Sequence, residues 1–115
     1  DVPNARALRD AGAELLVLPN DGGKVDLPAL LQALGARGIN ELHAESGHKL
    51  NGSLLREGCV DELLMYVAPT VLGRGMGLFN LGPFDMLDQR VDVDIRDIRA
   101  VGRDWRVLAR LRSSK

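Results

Sequence analysis

Leu42-His43-Ala44-Glu45-Ser46-Gly47-His48-Lys49-Leu50-Asn51-Gly52-Ser53-Leu54-Leu55 passes from a strand-forming start, through small residues, into helical spacing. Residues 39–44 read as a strand that delivers Glu45 at its carboxyl end, and Ser46 and Gly47 turn the chain. Leu50, Leu54 and Leu55 then share one face of a helix over residues 49–56, which Gly58 ends. A strand turning through glycine into a helix is the connection of an α/β sheet, where ligands bind beyond the carboxyl ends of the strands.

The flanks repeat that alternation. Upstream, Asn4 is placed to cap a helix over residues 5–11 closed by Gly12. Residues 13–18 are nearly all apolar and stop at Pro19-Asn20-Asp21-Gly22-Gly23, which reads as a buried strand and a turn. Asp26 caps a second helix with Pro28 in its first turn, Leu27, Leu30, Leu31 and Leu34 on one face, and Gly35 and Gly38 at its end. Downstream, residues 60–68 form a strand stopped by Pro69. Helix, strand, helix, strand, helix, strand implies a largely parallel core sheet with crossover helices.

After Pro69 the pattern changes. Gly73-Arg74-Gly75-Met76-Gly77 reads as a loop bordering a pocket; it meets no helical pattern and no P-loop lysine follows it. Residues 84–87 suit a turn of helix. Val91, Val93 and Ile95 alternate with polar residues, and the apolar phase shifts at Ile98, which predicts a bulge near Arg96-Asp97. Gly102-Arg103-Asp104 makes a hairpin turn before Trp105, Val107, Ala109 and Leu111 alternate in the last strand. The expected fold is α/β, a mixed sheet that is parallel in the middle and ends in an antiparallel C-terminal hairpin.

At 115 residues, 45% hydrophobic and 27% charged, the composition is that of one globular domain. No apolar run reaches the roughly 18 residues of a membrane helix, and no signal peptide is recognised, so no membrane partner and a cytoplasmic location are expected. The chain opens on Asp1 rather than Met, so the true N-terminus is expected upstream. The lone Cys59 makes no internal disulfide, suits a reducing compartment and reads as a buried structural thiol. His43 and His48 are the only histidines and are poorly spaced as ligands, so no metal site is expected. A net charge of −1 implies no general affinity for nucleic acid. Residues 90–115, with Lys115 among their cations, carry +4, which leaves −5 for residues 1–89. That basic segment is either a solvated strand face or a rim that attracts anions.

Three segments compete to carry chemistry: 42–53, 73–77 and the pair Asp61-Glu62. Adjacent acids on a strand point to opposite faces, so Asp61 and Glu62 are not an acid/base pair; a surface role or a salt bridge is expected. At 42–53 the helix start offers unpaired N–H groups and a partial positive charge, Gly47 leaves room for close approach, and His48 and Lys49 add donors. Phosphate is the group such a site suits. Gly52 costs the helix about 1 kcal/mol against Ala, so something packs on that face, either a ligand or a sheet lying close. Glu45 is a ligand contact, a helix cap or a solvent-facing carboxylate. No nucleophile triad stands out, and the catalytic residue is not identified.

Glu45-Ser46-Gly47-His48-Lys49-Leu50-Asn51-Gly52-Ser53-Leu54-Leu55, then Gly58-Cys59-Val60-Asp61-Glu62-Leu63, then Ala68-Pro69 and Leu72-Gly73, resemble the C-terminal reductase domain of the bifunctional riboflavin biosynthesis deaminase/reductase. The resemblance spans essentially the whole chain. It implies a dihydrofolate-reductase-like fold and an NADPH-dependent reduction of 5-amino-6-(5-phosphoribosylamino)uracil, a small phosphoribosylaminopyrimidine, to its ribityl product. It implies that Glu45 contacts substrate, and that Gly47, His48, Lys49, Leu50, Asn51, Gly52 and Ser53 contact NADPH. Ser46 stands where that family has glycine or alanine, either crowding the cofactor or donating a hydrogen bond to it. The family domain is longer than this chain, so residues 1–115 are expected to be its C-terminal part, inactive alone, with the N-terminal strands and a zinc deaminase domain upstream. A homodimer is implied by the same resemblance. The alternatives are a related reductase of another pterin or pyrimidine, and a non-catalytic dimerisation or docking module.

Overall fold

Three short α-helices among the described residues each end at a glycine. The computed structural model describes residues 3–112, so Lys115 of the basic segment lies outside the described residues. Helix α1 spans Pro3–Asp10, α2 spans Leu27–Ala36 and α3 spans His48–Arg56. Asp26 caps α2, its carboxylate accepting from the Ala29 amide at 2.9 Å. All three helices end alike. Gly12, Gly38 and Gly58 take φ of +88°, +83° and +69°, and the next amide bonds back to the carbonyl five residues earlier, as in Ala13 to Leu8, Ile39 to Leu34 and Cys59 to Leu54.

Two details differ from the sequence reading. Asn4 lies inside α1 rather than capping it, because Pro3, whose ring pre-sets a helical φ, starts the helix. Gly35 lies inside α2, and Gly38 alone takes the left-handed terminus.

The chain divides into two compact units, one ending at Leu42 and the other starting at His43. In the first, α2 turns Leu27, Leu30, Leu31 and Leu34 away from solvent, and among the described residues Leu27 is its one buried apolar side chain. Asn20 builds the turn that precedes α2, its side chain accepting from the amides of Gly22 and Lys24. Pro19 and Val25 meet in an isolated antiparallel bridge.

The expected strands at 13–18 and 39–44 do not form a ladder among the described residues, and Val17 is 78% exposed. The parallel middle of the sheet is therefore not present there. An apolar run states a preference for burial, but a strand exists only through a laddered neighbour, and among the described residues neither run has one, Leu18 taking a single bond from the Asp26 amide.

The second unit holds a three-stranded antiparallel sheet in the order β1-β3-β2, with β1 Glu62–Val67, β2 Val93–Val101 and β3 Asp104–Leu111. Gly102, at φ +61°, and Arg103 turn β2 into β3. The register slips between Ile95 and Asp97, which is the bulge the apolar phase shift predicts. Pairing sets Leu63, Met65 and Val67 beside Ala109, Val107 and Trp105, and these beside Ile95, Ile98 and Ala100. Ala109, in the central strand of that apolar face, has no exposed surface.

The opposite face carries the charges. Arg106 and Arg99 converge on Asp97 at 3.0 and 2.7 Å, Arg112 meets Asp94 at 2.6 Å, and Arg110 reaches Glu62 at 3.5 Å. The basic segment is thus a largely ion-paired strand face rather than a free rim. Glu62 takes the salt-bridge role expected of the Asp61-Glu62 pair. Between β1 and β2, Leu87–Gln89 forms a 3-10 turn. It starts later than the expected 84–87 because the Gln89 side-chain oxygen gathers the amides of Asp85 and Met86.

Candidate functional site

The expected site residues lie on one continuous piece of the second unit, the turn at Glu45–Gly47 and the helix α3. Gly47 is the N-cap of α3, with φ −74° and ψ 167°, and no side chain caps the helix. The first helical bond runs from the Asn51 amide to the Gly47 carbonyl at 3.0 Å. The amides of His48, Lys49 and Leu50 therefore point out of the helix start, where the macrodipole is positive. Any residue can adopt the Gly47 backbone conformation, and a Cβ built there meets nothing within 4 Å. Neither strain nor packing among the described residues requires a glycine at this position, and the space at its Cβ position is open.

Gly52 has a different reason. It is buried, and a Cβ there would sit 2.3 Å from the Asn80 carbonyl oxygen and 2.8 Å from the Asn80 nitrogen. What packs on that face of α3 is the backbone of a strap, residues 78–80, and not the sheet. The Asn80 amide donates to the His48 carbonyl at 2.9 Å, and Arg56 donates to the Asn80 carbonyl at 3.0 Å. Asn51 donates to the Leu78 carbonyl at 3.2 Å and to the Ser46 carbonyl at 3.1 Å. The Ser46 hydroxyl donates to the Asn51 side-chain oxygen at 2.5 Å. The extra side chain of Ser46 is therefore turned into the helix start and bonds within the chain.

Glu45 is exposed and meets His43 Nε2 at 3.0 Å, a charged pair only when the imidazole is protonated. A carboxylate so placed can accept hydrogen bonds from ligand hydroxyls. His48 is half-buried, Lys49 and Leu50 are exposed, and Ser53 is half-buried and accepts from Arg56 at 3.2 Å. Residues 73–77 form an exposed loop that leads into the strap. Cys59 is half-buried rather than buried, because it follows the exposed helix end and donates to the Glu57 carbonyl at 3.7 Å.

Sequence reading missed Leu78, Asn80 and Arg56. The signal for a close neighbour was Gly52, but nothing local identifies a partner 28 residues away. Among the described residues, no three of His, Cys, Asp or Glu converge to hold a metal ion, and no helix is long and apolar enough to cross a membrane.

The family model described as "RibD C-terminal domain" matches residues 3–107. The "Riboflavin biosynthesis protein RibD" of Escherichia coli (strain K12) is 39% identical over 90 residues, which cover 77% of this chain and 24% of that protein. The "5-amino-6-(5-phosphoribosylamino)uracil reductase" of Buchnera aphidicola subsp. Acyrthosiphon pisum (strain APS) is 42% identical over 50 residues, 44% of this chain and 24% of that protein. The solved structure of Acinetobacter baumannii RibD, form 2, matches with a TM-score of 0.82 at 29% identity, covering 93% of this chain and 29% of its own. The chain spans about a quarter of the length of the curated relatives it matches.

Proposed function

This chain belongs to the RibD C-terminal domain family, and from that premise we propose that it forms part of the site of an NADPH-dependent reductase. Its α/β fold is the dihydrofolate-reductase-like fold of that family. The reaction is reduction of 5-amino-6-(5-phosphoribosylamino)uracil, the substrate in the name of the reductase from Buchnera, and its product is the ribityl compound. The chain supplies the C-terminal part of the reductase domain of a full-length cytoplasmic protein. N-terminal strands and a zinc deaminase domain precede it there, and the protein is a homodimer.

The observation that carries this reading is Gly47. Its backbone is ordinary and its Cβ position is open, so close approach of a ligand to the helix amides explains the glycine best. A phosphate of NADPH suits these donors: three amides at a positive helix end, with the exposed Lys49 in the same first turn. Bound there, NADPH supplies the hydride. This chain's own residues bind and orient. Gly47 to Leu50 hold the phosphate, and Glu45 accepts from the ribosyl hydroxyls of the substrate. Such orientation is worth much of the barrier, because donor and acceptor carbons react only within near-attack distance.

The test is NADPH oxidation by the full-length protein with the phosphoribosylaminopyrimidine and, separately, with dihydrofolate. Turnover of the first and not the second is expected. Turnover of dihydrofolate alone would move the protein to another reductase of this fold, and no NADPH affinity at all would leave a non-catalytic module.

A further inference from the structure

We propose that Arg56 and Asn51 are positioning residues, whose side chains clamp the strap at residues 78–80 across α3 and so fix the turn at Ser46–Gly47. The inference rests on the cofactor reading above but assigns these side chains a task away from the ligand.

Asn51 has two amide hydrogens, and both are committed, one to the Ser46 carbonyl before the helix and one to the Leu78 carbonyl in the strap. Its oxygen accepts from the Ser46 hydroxyl. That leaves one lone pair and no donor for a ligand. Asn51 is a tie between turn and strap.

Arg56 lies eight residues beyond His48, about 12 Å along the helix axis at the α-helical rise. Its head bonds to the strap at Asn80, and its second nitrogen is steadied by the Ser53 hydroxyl. Gly52, between these two anchors, admits the strap backbone, and the Asn80 amide closes on the His48 carbonyl. Asn80 thus bonds both to the first turn of α3, through the His48 carbonyl, and to its last turn, through the Arg56 side chain, while Asn51 holds the strap at Leu78. First turns fray because their amides lack helical partners. Here the first turn is held by a segment anchored further along the same helix, which keeps the amides of His48, Lys49 and Leu50 aimed into the open space beside Gly47.

The test uses the full-length protein with Arg56→Ala, Arg56→Lys and Asn51→Leu. It reads hydrogen exchange at the Asn80 amide and the Kd for NADPH. Arg56→Ala is expected to speed Asn80 exchange and weaken NADPH binding, each about fivefold, the scale of one lost hydrogen bond. Arg56→Lys, which keeps a donor to the Asn80 carbonyl, is expected to recover most of both. Asn51→Leu is expected to exceed Arg56→Ala in both readouts. Arg56 is exposed, so its variants remain informative even where Asn51→Leu fails to fold.

Unchanged Asn80 exchange in Arg56→Ala would overturn the clamp. Faster exchange with unchanged NADPH affinity would overturn the positioning role while leaving the cofactor reading standing. A native protein with no NADPH affinity would overturn both, and the exchange data would still report whether the strap is clamped.

Discussion

Replacing Gly52 with alanine sets two effects of opposite sign against each other. In a helix, Ala is favoured over Gly by about 1 kcal/mol. At Gly52, however, the new methyl would sit 2.3 Å from the Asn80 oxygen and 2.7 Å from its carbonyl carbon, where ordinary contact begins at 3.4 Å. The strap must retreat by about 1 Å, and what retreats is backbone, not the end of a flexible side chain. Overpacking of this kind costs about 1–3 kcal/mol, and a 1 Å overlap with backbone belongs in the upper half of that range. The retreat also stretches the Asn80–His48 bond and the Arg56–Asn80 bond. Clash outweighs propensity, for a net loss of about 1–2 kcal/mol. Urea denaturation measures the loss, and faster exchange of the Asn80 amide shows where it arises. Gly35→Ala is the control: Gly35 also lies inside a helix, but its added methyl meets nothing within 4 Å, so stability should rise by about 0.5–1 kcal/mol. A Gly52→Ala protein that gains stability like Gly35→Ala, with Asn80 still protected, would refute the strap as the reason for this glycine.

Gly47→Ser should place a hydroxyl oxygen where it accepts from the amides of α3, raising stability by a few tenths of a kcal/mol while weakening NADPH binding; calorimetric Tm and the Kd for NADPH should both rise. Asp97 accepts hydrogen bonds from Arg99 and Arg106, and these hold its carboxyl below the ordinary carboxylate range. A group depressed on folding stabilises the fold above its unfolded pKa, near 3.9 for Asp, and that contribution is lost as pH falls through the lower folded value. Asp97→Asn should therefore flatten the acid limb of a stability–pH curve below about pH 4, and an unchanged limb would contradict this. Ala109→Leu, at a position with no exposed surface, should cost about 1–3 kcal/mol by overpacking, read as a lower urea midpoint.

The parts of the fold legible in the sequence are those whose cause is local. Asp26 and Pro28 announced α2, and Gly12, Gly38 and Gly58 marked helix ends because only glycine takes those φ values at no steric cost. The hairpin from β2 to β3, with its bulge, followed from alternation, a shift of phase and the Gly102 turn. The start of the candidate site was equally plain, since Gly47 and the leucines of α3 mark a turn into a helix. The apolar runs at 13–18 and 39–44 were less decisive, because strand structure belongs to a pair of segments and one segment cannot specify its partner.

The sequence by itself determined that the chain turns at Ser46–Gly47 into α3, since capping and periodicity act over a few residues. It also determined, through an ordered set of residues from Glu45 to Gly73, the family to which the chain belongs. Only the tertiary structure decided what lies against α3. Gly52 signals close approach but not by what, and the contact proves to be Asn80, carried in by a loop whose own residues have no helical or strand pattern. The same strap decided that the side chains of Asn51 and Arg56 bond across to residues 78–80. Hydrogen-bond partners far apart in sequence are chosen by the path of the backbone between them, and that path is set by packing rather than by any local preference.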